Sequence, residues 1–131
     1  MKTLLILTLG LFVCGNAYAE IPDEQAIKAL IGEAGGQSYQ ELYAHACALR
    51  NRNTLEGVYG IRSKQVALAS GKTWQRVSRA WYESVDGLDV TGGATHWLSE
   101  YDLENCSHNA DWRFTMIMTG KIGQTYFYKE K

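Results

Sequence analysis

Residues 23–52 read DEQAIKALIGEAGGQSYQELYAHACALRNR, and this stretch decides the architecture. Ala26, Leu30 and Glu33 recur at i, i+4 and i+7, the spacing of one helical face. The spacing predicts a helix from Asp23 to about Ala34 whose buried stripe ends in a carboxylate. Gly35-Gly36 follows at once, and such a pair ends a helix through conformations that other residues avoid. An acid on a buried face beside a helix end is the setting in which general acids are found. The alternative is a surface glutamate at a fraying end. A second helix opens at Ser38, whose hydroxyl caps it while Glu41 reaches back in the S-x-x-E pattern. It runs to about Arg52, with Leu42, Ala46 and Leu49 as its stripe and Tyr43 and Cys47 beside them. Packed across the short turn, the two helices leave Glu33 at their junction.

Further along, Asn53 to Gly60 carries loop signals, and a short helix is expected around Val66 to Ala69. A clear helix begins near Thr73, with Trp74, Val77 and Trp81 at helical spacing up to Asp86-Gly87. Residues 89–95 contain Gly92-Gly93 and turn tightly. In the last third, Trp112 to Met118 and Thr125 to Tyr128 read as two short strands around Thr119-Gly120-Lys121, a hairpin. Helices first and a small sheet later make an α+β domain, mainly helical with a small antiparallel sheet.

The first nineteen residues read as an address. Lys2, the apolar run from Leu4 to Val13 and Ala17-Tyr18-Ala19 form a signal peptide with cleavage expected after Ala19. The run is too short to span a bilayer, and no later segment is apolar enough to do so. Export to the periplasm or the exterior is therefore expected, with residues 20–131 as a single domain. Without Lys2, 12 basic residues face 14 acidic ones, a net of −2. This balance speaks against a general electrostatic grip on nucleic acid or on acidic membranes.

Two cysteines follow the signal, Cys47 and Cys106. In an exported chain an even pair points to a disulfide, the alternative being two buried free thiols. A Cys106 nucleophile assisted by His108 is a third reading, set against the poor alignment of residues two apart for proton transfer. His45, His96 and His108 follow no metal-ligand spacing, so neither a metal nor another cofactor is expected. The residues after the signal include four Trp, seven Tyr and two Phe, rings that stack on sugar faces while their polar tips hydrogen-bond. Trp74 and Trp81 fall on a helical stripe and read as core. Trp97, Tyr101 and Tyr126 lie in glycine-flanked or terminal segments and are candidates for a binding groove.

Several of these pieces together resemble a known family. The order Glu33-Ala34-Gly35-Gly36-Gln37-Ser38, Ala44-His45-Ala46, Asn51-Arg52, Gly93-Ala94-Thr95-His96-Trp97 and Ile122-Gly123-Gln124-Thr125-Tyr126-Phe127-Tyr128 is similar to that of the SleB-type cell wall hydrolases. The resemblance implies a lysozyme-like domain that cleaves the MurNAc–GlcNAc bond of peptidoglycan, often as a lytic transglycosylase. It carries the role of catalytic acid to Glu33. It makes peptidoglycan glycan strands the expected partner and puts Gln37 at the rim of the groove for which Trp97, Tyr101 and Tyr126 are the candidates; nothing in the chain identifies a regulatory or secretion-system partner. Gln37 stands where many relatives have a second acid, and no Asn-Pro follows the aromatic residue of the Gly-Ala segment.

A two-acid hydrolase needs carboxylates about 5 to 10 Å apart, and Asp89, Glu100 and Asp102 are the candidates by location. A lytic transglycosylase manages with one acid, which tilts the reading toward the lyase. The rival class is a secreted glycan-binding or lysozyme-inhibiting domain in which Glu33 only buttresses the helix junction.

Overall fold

The computed structural model describes residues 20–105 and 107–131, with side chains left aside for 107–110; the signal peptide expected at 1–19 lies outside the described residues. Helices α1 (Asp23–Ala34) and α2 (Tyr39–Arg52) form where their periodicity places them. Ser38 caps α2 by accepting the Glu41 N–H at 3.2 Å, while its hydroxyl donates to the Glu41 carboxylate. The Glu41 side chain thus closes the box through the serine hydroxyl rather than the Ser38 backbone N–H.

The turn between α1 and α2 departs from expectation. Gly35 is right-handed, with φ −60°, and neither Gly35 nor Gly36 is among the glycines at positive φ. The chain leaves α1 without a left-handed cap: the Gly35 and Gln37 N–H groups donate to Ile31 O and Ala34 O, and Arg76 clamps the turn beyond them, donating to Gly35 O at 3.3 Å and Gln37 O at 2.5 Å. A side chain from the third long helix thus braces a turn that lacks the left-handed glycine motif.

Helix α3 (Lys64–Leu68) is short, and α4 (Gly71–Asp86) begins at a Ser70 cap and buries Val77, Ala80 and Trp81. Trp81 Nε1 donates to Asp23 Oδ1 at 2.7 Å, which ties α4 to the start of α1. The Arg50 guanidinium lies 3.6 Å above the Trp81 ring, so α2 and α4 are joined by stacking as well as by apolar contact.

Three strands follow: β1 (His96–Ser99), β2 (Met116–Ile122) and β3 (Thr125–Glu130), with the six-residue α5 (Glu100–Asn105) and a 3-10 segment (Ser107–Thr115) between β1 and β2. The sheet is antiparallel in the order β1-β3-β2, with Trp97 opposite Phe127 and Ile122 opposite Thr125. The β2–β3 turn falls at Gly123-Gln124, where Gly123 has φ +58°, not at Thr119-Gly120-Lys121. Gly120 pairs instead with Phe127 inside β2, and the register shift between Met118 and Gly120 leaves Thr119 without a pairing partner, a bulge. β1 was not legible as a strand.

α2 is the central element. Leu42, Ala46 and Leu49 pack against α1 and α4, while Ala44 and Ala48 receive Phe127 from the sheet. Small residues on that side let the sheet approach closely. Full burial of Leu30, Leu42 and Leu49 stabilises by about 1.5–3 kcal/mol each. The opposite sheet face carries Leu98, Tyr126 and Tyr128 against Leu103 and Trp112. This is the α+β architecture expected: mainly helical, with a small antiparallel sheet.

Cys47 is buried with a free thiol, and the expected Cys47–Cys106 disulfide is not present; Cys106 itself lies outside the described residues. The Cys47 sulfur faces the Leu88 carbonyl at 3.9 Å on the α2 side that meets the end of α4. Burial pushes its thiol above the ordinary range, which keeps it protonated and unreactive near neutral pH.

Candidate active site

Glu33 occupies the last turn of α1, half-buried, with both carboxylate oxygens engaged. Oε1 accepts the Gly60 N–H at 2.8 Å and Oε2 accepts the Trp97 indole N–H at 3.1 Å. Each carboxylate oxygen offers two acceptor positions, so one remains on each for a ligand or a proton. The side chain is held from two walls, the 3-10 turn Gly60–Arg62 and strand β1.

The first wall depends on glycine. A Cβ on Gly60 would lie 2.5 Å from Ala29 O and 2.6 Å from Glu33 Cγ, so only a bare backbone lets this N–H reach the carboxylate. Trp97 is set by the sheet and by α2. Its ring meets His45 edge-on with centroids 5.6 Å apart, and His45 meets Phe127 the same way at 5.4 Å. The buried His45 is anchored by its Nδ1, which donates to the Glu41 carbonyl at 2.7 Å, and burial lowers its pKa, leaving it neutral.

Asn51 and Arg52 at the end of α2 brace the loops that carry these walls. Asn51 Nδ2 donates to Asp89 Oδ2 at 2.9 Å and to Ala94 O at 3.0 Å. Asp89 also accepts from Thr91 N and Oγ1 and from Gly93 N. Burial alone would raise the Asp89 pKa, but these hydrogen bonds together hold it below the ordinary carboxylate range. Asp89 is therefore a knot that shapes the 89–95 loop and delivers β1. Arg52 donates from Nη1 to Thr95 O at 3.2 Å and from Nη2 to Glu56 O, so one guanidinium joins the 53–60 loop to β1.

Two hollows meet at Glu33. One, about 810 Å³, is lined by Glu33, Arg52, Tyr59, Trp97, Asp102 and Trp112 among others. The other, about 450 Å³, is lined by Glu33, Gln37, Gln65, Ser70 and Thr73 with the Gly35-Gly36 turn. Glu33 thus stands where an extended groove passes between α1, α3 and β1, as a residue acting on a linear chain must.

The structure brings Glu33, Gln37 and Trp97 to this groove and leaves two other sequence candidates elsewhere. Tyr101 is 70% exposed on α5 and lines neither hollow. Tyr126 pairs with Leu98 and points to the sheet face opposite Trp97, where the Lys121 ammonium lies 5.1 Å from its ring centroid. Among the three acids considered for a second carboxylate, Asp89 is consumed in the loop knot and Glu100 is paired with Lys121. Asp102 alone of the three lines the hollow with Glu33, with Oδ2 accepting from Ser99 Oγ at 2.8 Å. Asp102 was among the acids considered by location, whereas Gly60, Arg52 and Trp112 were not singled out as groove residues by periodicity or composition. The Asn51-Arg52 pair was visible only as part of the family resemblance.

Among the described residues no cluster of His, Cys, Asp and Glu is arranged to hold a metal ion, and no helix is long and apolar enough to cross a membrane. The thiol reading cannot be placed, because Cys106 and the His108 side chain lie outside the described residues.

The chain matches no protein-family profile and no curated protein. Solved structures do match. The catalytic domain of the Bacillus cereus SleB protein superimposes with a TM-score of 0.56 at 24% identity, over 82% of this chain and 88% of that one. The catalytic domain of the germination-specific lytic transglycosylase SleB from Bacillus anthracis does so with a TM-score of 0.59 at 23% identity, over 85% of this chain and 98% of that one. The chain therefore has the fold of the SleB catalytic domains, the family its sequence resembles.

Proposed function

We propose that the protein is an exported enzyme that cleaves peptidoglycan at the MurNAc–GlcNAc linkage, with Glu33 as its general acid and base. The observation that carries this reading is the placement of the Glu33 carboxylate, gripped by Gly60 N–H and Trp97 N–H where two hollows of about 450 and 810 Å³ join. The SleB fold supports the substrate class. In its acid form Glu33 gives a proton to the glycosidic oxygen as the C1–O bond breaks. The carboxylate then takes the proton of the 6-hydroxyl as that oxygen bonds to C1, closing a 1,6-anhydro ring. No water is consumed: the first proton leaves on the hydroxyl of the departing sugar, and the proton of the 6-hydroxyl restores Glu33 to its acid form. The groove supports this one-acid route, because two of the three other acids considered are committed to structural partners.

Mature protein incubated with purified sacculi tests the proposal by mass analysis of the products. Anhydro-ended fragments that disappear with Glu33→Gln are the expected result, since general acid catalysis supplies about 10²–10⁴ in rate. Reducing-ended fragments would make the protein a hydrolase. No fragments at all from folded protein would leave a glycan-binding or inhibitory domain.

A further inference from the structure

Glu33 divides the groove into chemically unlike halves. Apart from Glu33, the hollow beside α3 is lined by no charged side chain: Gln37, Gln65, Ser70 and Thr73 supply amides and hydroxyls. The half beyond Trp97 is charged in both signs. Through Arg52, Gly57 and His96 it continues into a further hollow of about 700 Å³, whose lining adds Glu56, Lys129 and Glu130.

Arg52 sits at the seam of the two charged hollows. Its Nη1 and Nη2 are tied to backbone carbonyls on opposite walls, and its buried Nε has no hydrogen-bond partner among the described residues. The guanidinium is thus fixed in place, and Nη1 and Nη2 each keep a second N–H beyond these carbonyls, the donors a carboxylate would take where Arg52 lines the two hollows. His96 beside it is kept neutral, by burial first and by Arg52 second, so it presents hydrogen-bonding nitrogens rather than charge.

In peptidoglycan one of the alternating sugars is a neutral N-acetyl hexosamine, and the other carries a peptide bearing carboxylates and amines. We infer that the hollow lined by Arg52, His96, Lys129 and Glu130 receives that peptide, so the peptide-bearing sugar lies on the Trp97 side of Glu33 and the neutral sugar on the Gln37 side. This rests on the functional reading above and adds to it the direction in which the strand runs. Mixed charge fits an amphoteric peptide; a purely anionic ligand would meet Glu56 and Glu130.

The test compares soluble uncrosslinked glycan strands with the same strands stripped of peptide by an amidase. The wild-type protein is expected to show a KM lower by about tenfold on the peptide-bearing strands, the discrimination of one good charge-assisted contact. Arg52→Gln and Lys129→Gln should each shrink that ratio. Lys129 lies at the exposed end of β3, so its variant decides the matter if Arg52→Gln fails to fold. Equal KM on both substrates, or a preference that folded Arg52→Gln and Lys129→Gln leave unaltered, overturns the inference. Cleavage of neither substrate counts against the functional reading instead.

Discussion

Gly32 and Gly60 meet backbone to backbone: a Cβ placed on Gly32 would overlap the Gly60 carbonyl group. This contact seats the 60–62 turn on α1 so closely that the Gly60 amide reaches Glu33 on the next residue of the helix. Packing here sets the chemistry. Gly32→Ala and Gly60→Ala should each force the turn away from α1 and lower stability by about 1–3 kcal/mol, the usual cost of overpacking. Thermal melts measure that loss. Sacculus digestion should fall further than the remaining folded fraction explains, because the carboxylate loses one of its two N–H partners.

Trp97→Phe keeps a ring against His45 and Phe127 but removes the indole N–H from Glu33 Oε2. Hydrogen bonds to charged groups contribute about 1.5–3 kcal/mol, so cleavage is expected to drop by about 10- to 100-fold with the fold retained. Wild-type turnover by Trp97→Phe would show that the indole serves packing alone.

Asp102 distinguishes one-acid from two-acid chemistry. Asparagine in its place still accepts from Ser99 Oγ, so the start of α5 should be preserved. On the lytic route the Asp102→Asn rate stays within a few-fold of wild type and the products remain anhydro-ended. A loss of about 10² or more, with reducing-ended products from the wild type, would assign Asp102 as the base of a hydrolase.

Stability should fall on the acid side in two stages. His45 has its folded pKa lowered by burial, so the unfolded chain binds the proton more readily. Its contribution is complete above the ordinary imidazole value of about 6.5 and shrinks as pH falls below it. Asp89 has its folded pKa held down by Thr91, Asn51 and Gly93. Its contribution is present above the ordinary carboxylate value of about 3.9 and is lost as pH falls through the lower folded value. Denaturant melts from pH 7 to pH 3 should show both, and His45→Phe should reduce the first stage, leaving the part that belongs to His96, whose folded pKa burial also lowers. An unchanged slope between about pH 6.5 and pH 5 in His45→Phe would assign that stage to other groups.

Asp89→Asn probes the loop knot directly. It replaces a carboxylate that accepts four hydrogen bonds with an amide that accepts with one oxygen only. A loss of about 1.5–3 kcal/mol at pH 7 is expected, and β1 should lose protection from hydrogen exchange before α2 does. The loss should shrink as pH falls below the ordinary carboxylate value of about 3.9 and on through the lower folded one.

The helices and the acid were legible in the chain because their signals are local. Apolar spacing sets which face of α1 is buried, Ser38 caps α2 within three residues, and Glu33 follows Leu30 on the stripe by helical geometry alone. Where contacts join distant segments, local signals were insufficient. A four-residue β1 carries too little alternation to announce itself, and the hairpin turn lies at Gly123 because β2 runs on through Gly120, which pairs with Phe127 beyond the register shift at Thr119. Which side of the sheet an aromatic faces depends on register, so Trp97, opposite Phe127, reaches Glu33 while Tyr126, next to Phe127 on β3, points the other way. The Arg76 clamp on the α1–α2 turn, the free Cys47, and the meeting of Gly32 with Gly60 are likewise products of packing. The sequence alone determined that an acid would stand at the end of α1. Only the tertiary structure decided what holds that acid, because its N–H partners lie 27 and 64 residues away and are brought to it by the packing of whole elements.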